Sequence, residues 1–130
     1  MYPHKDAIFT ATKYCIFHHV DITREAVQAN VSERCQRLQQ EKIDLLQFHW
    51  QFVSRVRILR GFCSQSVQWD DPGYLDALRY LMEDERVGMI GLCNFNTEHL
   101  LRAIESGVHA YTNQVQVGAL SCVVWLDGME

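Results

Sequence analysis

Lys13, His49, Cys93-Asn94 and Asn113-Gln114 are the polar residues whose placement suggests chemistry. Lys13 follows one short apolar run, and the others end or lie late in similar runs. These runs, 7–12, 43–49, 87–92 and 110–115, read as β-strands. Lysine supplies a cation, histidine a titratable imidazole, and Asn and Gln amides that both donate and accept. In a parallel α/β sheet or barrel, ligands bind at the carboxyl ends of the strands. Any one of these residues alone is an ordinary surface or core group. Four of them at the same strand end point to a ligand site.

Metal chemistry is not expected. The five cysteines are an odd number at wide spacings, with no C-x-x-C pair and no disulfide ladder. Free thiols in a reducing compartment follow from that count. His18-His19 is the only adjacent histidine pair, and no second ligand pair stands at metal spacing.

The elements that must position the site alternate. After the strand at 7–12, Thr23 offers an N-cap, and Ala26, Val27, Val31, Cys35 and Leu38 recur at helical spacing. The strand at 43–49 precedes a helix opened by Asp71-Pro72 and continued by Leu75, Leu78, Leu81 and Met82. The strand at 87–92 leads to a helix capped by Asn96 or Thr97, striped by Leu100, Leu101 and Ile104, and ended by Gly107. The fourth strand follows at 110–115. Such alternation predicts an α/β fold of about four parallel strands with crossover helices.

Two segments break the pattern. Residues 53–68 carry three arginines and no acid, inside a connection that usually runs about 2–6 residues. Residues 117–130 match neither helical nor strand periodicity. The opening Val53-Ser54, the closing Gln68 and the tail's Val117-Gly118 fit codons found at splice junctions, so both segments read as translated introns within one domain spanning 1–130. A genuine substrate loop and a genuine terminus are the alternative.

Composition bounds the rest. The chain has 130 residues, 48% of them hydrophobic, and a net charge of −4. This suits one domain with a modest core and excludes a disordered or collagenous chain. The mildly acidic balance gives no reason to expect a nucleic-acid partner. No apolar run approaches the roughly 18 residues of a membrane span. The N-terminus lacks a charged-then-apolar signal, so a cytoplasmic location is expected.

The same residues carry a family resemblance. Phe9-Thr-Ala-Thr-Lys13 resembles the strand of aldo-keto reductases that ends in their catalytic lysine. Ile43-Asp-Leu-Leu-Gln-Phe-His-Trp50 resembles the strand ending in their catalytic histidine and tryptophan. The run Arg86-Val-Gly-Met-Ile-Gly-Leu-Cys-Asn-Phe95 is similar to the family's G-x-S-N-F segment, and Thr112-Asn-Gln-Val-Gln116 to its N-Q-V segment. The resemblance covers about 5–52 and 69–116. It implies part of a (β/α)8 TIM barrel that moves a hydride between a nicotinamide cofactor, commonly NADP, and a small-molecule carbonyl substrate.

Carried across, Lys13 would lower the pKa of a proton-donating tyrosine, and His49 would orient and polarise the carbonyl. Asn94 and Gln114 would hold the nicotinamide carboxamide together with Cys93, which stands where many members have serine. The resemblance places the tyrosine, its aspartate and the phosphate-binding strands outside this stretch. The expectation is therefore a truncated, catalytically incomplete form. The alternative is a non-catalytic half-barrel that associates with itself or another chain through open sheet edges. An independent flavodoxin-like domain fits less well, because no glycine-rich or acidic loop follows the first strand.

Overall fold

The computed structural model describes residues 8–16, 21–50 and 73–115. His18-His19, the Asp71-Pro72 cap and the segments 53–68 and 117–130 lie outside the described residues. Strands β1 (Ala11–Cys15), β2 (Ile43–His49), β3 (Val87–Cys93) and β4 (Ala110–Gln114) alternate with helices α1 (Arg24–Leu38), α2 (Gly73–Met82) and α3 (Thr97–Glu105). All neighbouring strands pair in parallel, in the order β1-β2-β3-β4. Four parallel strands in chain order with intervening helices make part of a (β/α)8 barrel wall.

The third and fourth strands end within one residue of the sequence expectation, at Cys93 and Gln114, and the first strand differs more. The first strand runs over Ala11–Cys15 rather than 7–12. Its start is fixed by Asp44, whose carboxylate accepts from both the amide and the hydroxyl of Thr10 at 2.7 and 2.8 Å. Pairing with β2 carries the strand on to Cys15 opposite His49. Lys13 therefore lies within the strand rather than after it.

Capping chemistry sets the helix ends. Thr23 accepts from the Ala26 amide at α1, and the Asn96 side chain accepts from the His99 amide at α3. α1 ends with Gln39 in the left-handed region, its amide and that of Gln40 returning to Gln36 and Cys35 carbonyls. Gly107 does the same after α3 at φ +87°, where an L side chain would be strained. Both ends follow the Schellman pattern.

Register sorts the side chains between two faces. Tyr14, Leu46, Phe48, Ile90 and Leu92 point to the helices and join Val27, Val31, Leu78, Leu81 and Ala103 in one buried cluster. Tyr14 stacks on Phe48 at 5.4 Å between ring centroids, and Phe48 on Trp50 at 5.8 Å. The residues between them face the other way. Lys13, Gln47, Gly91 and Thr112 form one row, and Cys15, His49, Cys93 and Gln114 the row above it. This alternation turns the polar residues away from the core and towards the inner face.

Candidate active site

The upper row is built from strand ends. Cys15, His49, Cys93 and Gln114 stand side by side across four adjacent strands, and Asn94 follows directly on Cys93. Lys13 starts one row lower. Its long side chain closes that gap, and Nζ donates to Cys93 Sγ at 3.6 Å. A glycine beneath makes room, because a Cβ at Gly91 would collide with Thr112 Oγ1 and crowd Gln47 Cγ. Lys13, His49, Cys93, Asn94 and Gln114, the five residues to which the family resemblance assigns roles, line one cavity of about 250 Å³ together with Val115.

Backbone geometry after β3 orients the amides. Asn94 adopts φ +58°, a left-handed conformation that asparagine tolerates better than most residues. Its amide donates to the Gln114 carbonyl at 2.8 Å, which extends the β3–β4 pairing past the strand end. Asn113, from the helix-facing set, grips the next residue at two points. Its Oδ1 accepts from the Phe95 amide at 3.3 Å, and its Nδ2 donates to the Phe95 carbonyl at 2.9 Å. The turn carrying Asn94 is thus clamped from β4.

His49 sits between two polar contacts. Asn94 Nδ2 lies 3.3 Å from Nε2, and Cys15 Sγ lies 3.9 Å from Nδ1. Burial and then the nearby Lys13 ammonium hold its pKa below the ordinary histidine value. The imidazole is therefore neutral at neutral pH, with one ring nitrogen a donor and the other an acceptor. Burial raises the Cys15 thiol above its usual range, so Cys15 is protonated beside it. Cys93 is 4% exposed, and its thiol donates to Gln114 Oε1 at 4.0 Å.

Cys15 is the site residue that sequence reading misses. Placing the first strand at 7–12 leaves it three residues downstream in a loop, whereas the observed register sets it beside His49. Among the described residues, no group of three His, Cys, Asp or Glu side chains could hold a metal ion. No helix among them is long and apolar enough to cross a membrane.

Comparison with known proteins extends this picture. A candidate 2,5-diketo-D-gluconic acid reductase B of known structure is 26% identical, with a TM-score of 0.57 over 87% of this chain and 34% of its own. An aldo-keto reductase of Bombyx mori in complex with NADP is 21% identical, with a TM-score of 0.63 over 87% of this chain and 34% of its own. The aldose reductase of Schistosoma japonicum is 19% identical, with a TM-score of 0.62 over 87% of this chain and 38% of its own. The chain thus spans about a third of the length of these structures. No curated protein matches its sequence significantly. The family model for the aldo/keto reductase family matches residues 2–124, and with that match the chain belongs to the aldo/keto reductase family of oxidoreductases.

Proposed function

We propose that these strands carry the lysine, histidine and amide part of a reductase site acting on an aldehyde or ketone with NADPH. The observation that supports this reading is the single cavity shared by Lys13, His49, Cys93, Asn94 and Gln114. His49, neutral and partly buried, has a ring N–H that can donate to a carbonyl oxygen, where negative charge grows as the carbonyl is reduced. Lys13 supplies a fixed positive charge below it, which favours the ionised form of any acid brought to the cavity.

The donor set fits a carboxamide. Asn94 and Gln114 bring two side-chain amides to one rim, able to satisfy both the oxygen and the NH₂ of a nicotinamide amide. Cys93 would join them with a thiol, a weaker partner than a hydroxyl. When bound there, the nicotinamide would supply the hydride. A titration with NADPH that shifts the side-chain amide NMR signals of Asn94 and Gln114 would support this assignment. Unmoved signals at saturating cofactor would refute it.

Among the described residues no tyrosine lines the cavity. Tyr14 and Tyr74 are buried in the aromatic cluster, Tyr80 lies under Arg24, and Tyr111 is exposed beside His109. We therefore expect purified residues 1–130 to show negligible NADPH-dependent reduction of generic aldehydes. Loss of a general acid costs about 10²–10⁴ in rate. Steady turnover that His49→Ala abolishes would show the site to be complete as it stands.

A second reading has its own observation. β1 and β4 are the outer strands of the described sheet. Each can accept a further strand, so the half-barrel can act by pairing an edge with another chain. The cytoplasm is the proposed location, on the thiol count given above.

A further inference from the structure

The outer edge of β1 is where the structure departs from a plain open strand. The bond from the Leu45 amide to the Thr10 carbonyl sets the phase of the β1–β2 pairing. In a parallel pair, alternate residues turn both backbone groups to the same side. Thr10, Thr12 and Tyr14 therefore face β2, and Ala11, Lys13 and Cys15 present their N–H and C=O groups to the outer edge. At the middle of that edge the Lys13 carbonyl is taken. Arg34 of α1 reaches over and donates Nε–H to it at 2.6 Å, with Nη1 donating to the Asn30 carbonyl at 3.1 Å. Its guanidinium lies 5.7 Å from the Tyr14 ring centroid, and burial shifts its pKa below the usual arginine value. A groove of about 590 Å³ runs alongside, lined by β1 and by Asn30, Glu33, Arg34 and Arg37 of α1.

We propose that Arg34 guards this edge: β1 can take the β4 strand of a second copy only when Arg34 releases the Lys13 carbonyl. The inference rests on the edge-pairing reading above and names both the partner and the residue that opposes it. An incoming strand needs the Lys13 carbonyl for its own N–H, and that acceptor is already held by a charge-assisted bond. A charged side chain across an edge is also a recognised means of keeping strands apart.

The second copy is chosen on exposed apolar surface and on geometry. The β1 side offers Arg34, with Arg37 held in an ion pair to Glu33. The β4 side offers exposed Tyr111 and, on α3, exposed Leu101 and Ile104 flanked by Glu98 and Glu105. Four strands are also half of an eight-stranded ring, so a two-fold axis placing each β1 against the other β4 closes the sheet after two copies.

The test measures association of residues 1–130 by sedimentation velocity, with far-UV circular dichroism to establish folding. Arg34→Met keeps the apolar stem and removes the donors. It is expected to dimerise about tenfold or more tightly than the unsubstituted chain. Adding Ala11→Pro, which deletes an outward N–H of β1, or Tyr111→Lys, which charges β4, should each reverse the gain. Arg34→Gln is read in the same way if Arg34→Met does not fold. A gain that survives either second substitution overturns the proposed pairing. An unsubstituted chain that dimerises as tightly as Arg34→Met overturns the guard alone. If both stay monomeric at the highest soluble concentration, the guard and the edge-pairing reading both fall.

Discussion

His49 and Lys13 form the most informative pair at the scale of single residues. Two causes depress the imidazole pKa, burial first and the Lys13 ammonium second. Lys13→Met removes the second and leaves the first. NMR titration should then show the His49 pKa rising towards, but not reaching, the ordinary value near 6.5. A value that does not move would place the ammonium too far away to matter. The depressed pKa also fixes a sign for stability. The unfolded chain binds a proton at His49 more readily than the folded one, so this contribution is fully present above the unfolded pKa. It is lost as pH falls through that value towards the folded pKa. His49→Gln should therefore flatten part of the decline in melting temperature between pH 7.5 and 5.5, and a decline of unchanged size would refute the linkage. The five polar residues of the cavity are recognisable in the sequence as polar groups at or beside strand ends. Cys15 is not, because a lone cysteine beyond an assumed strand end carries no spacing signal. Only the register against His49 reveals it.

At the scale of elements, the match between sequence and structure follows how many constraints act on each strand. β2 and β3 lie between two neighbours, and both begin where the apolar runs begin, at Ile43 and Val87. β1 has one described neighbour. The β-prone run at 7–12 is local propensity alone, and pairing with β2 overrides it through the Thr10–Asp44 anchor. Gly91 shows a packing constraint that periodicity does not encode. It lies in the middle of β3, where glycine weakens a strand, yet the neighbouring side chains leave no room for a methyl group. Gly91→Ala should cost about 1–3 kcal/mol of stability, as overpacking usually does. Since the nearest obstruction is Thr112 Oγ1, Thr112→Ala in the same chain should recover most of that loss. Equal costs with and without Thr112→Ala, measured in urea, would place the strain in the backbone instead.

At the scale of the whole molecule, the question is how the described half-barrel relates to the two segments that interrupt its pattern. β2 ends at His49 and α2 begins at Gly73, so residues 50–72 join two elements that a few residues usually connect. Within that stretch, 53–68 brings three arginines and no acid into a chain of net charge −4. Removing it joins Phe52 to Trp69 and gives His-Trp-Gln-Phe-Trp-Asp-Asp-Pro, a short loop ending in an acidic cap and a proline suited to the first turn of a helix. We propose that 53–68 and 117–130 are read through from introns. A 5′ splice donor of the common form GTRAGT, translated in frame, gives Val-Ser, and Val53-Ser54 opens the first segment. CAG, a common acceptor end, encodes glutamine, and Gln68 closes it. Val117-Gly118 is likewise compatible with a GT start. Sequencing of full-length transcripts is expected to recover a species lacking the codons for 53–68. Uniform reads through both segments, with no spliced species, would show instead that an arginine-rich connection is native to this protein.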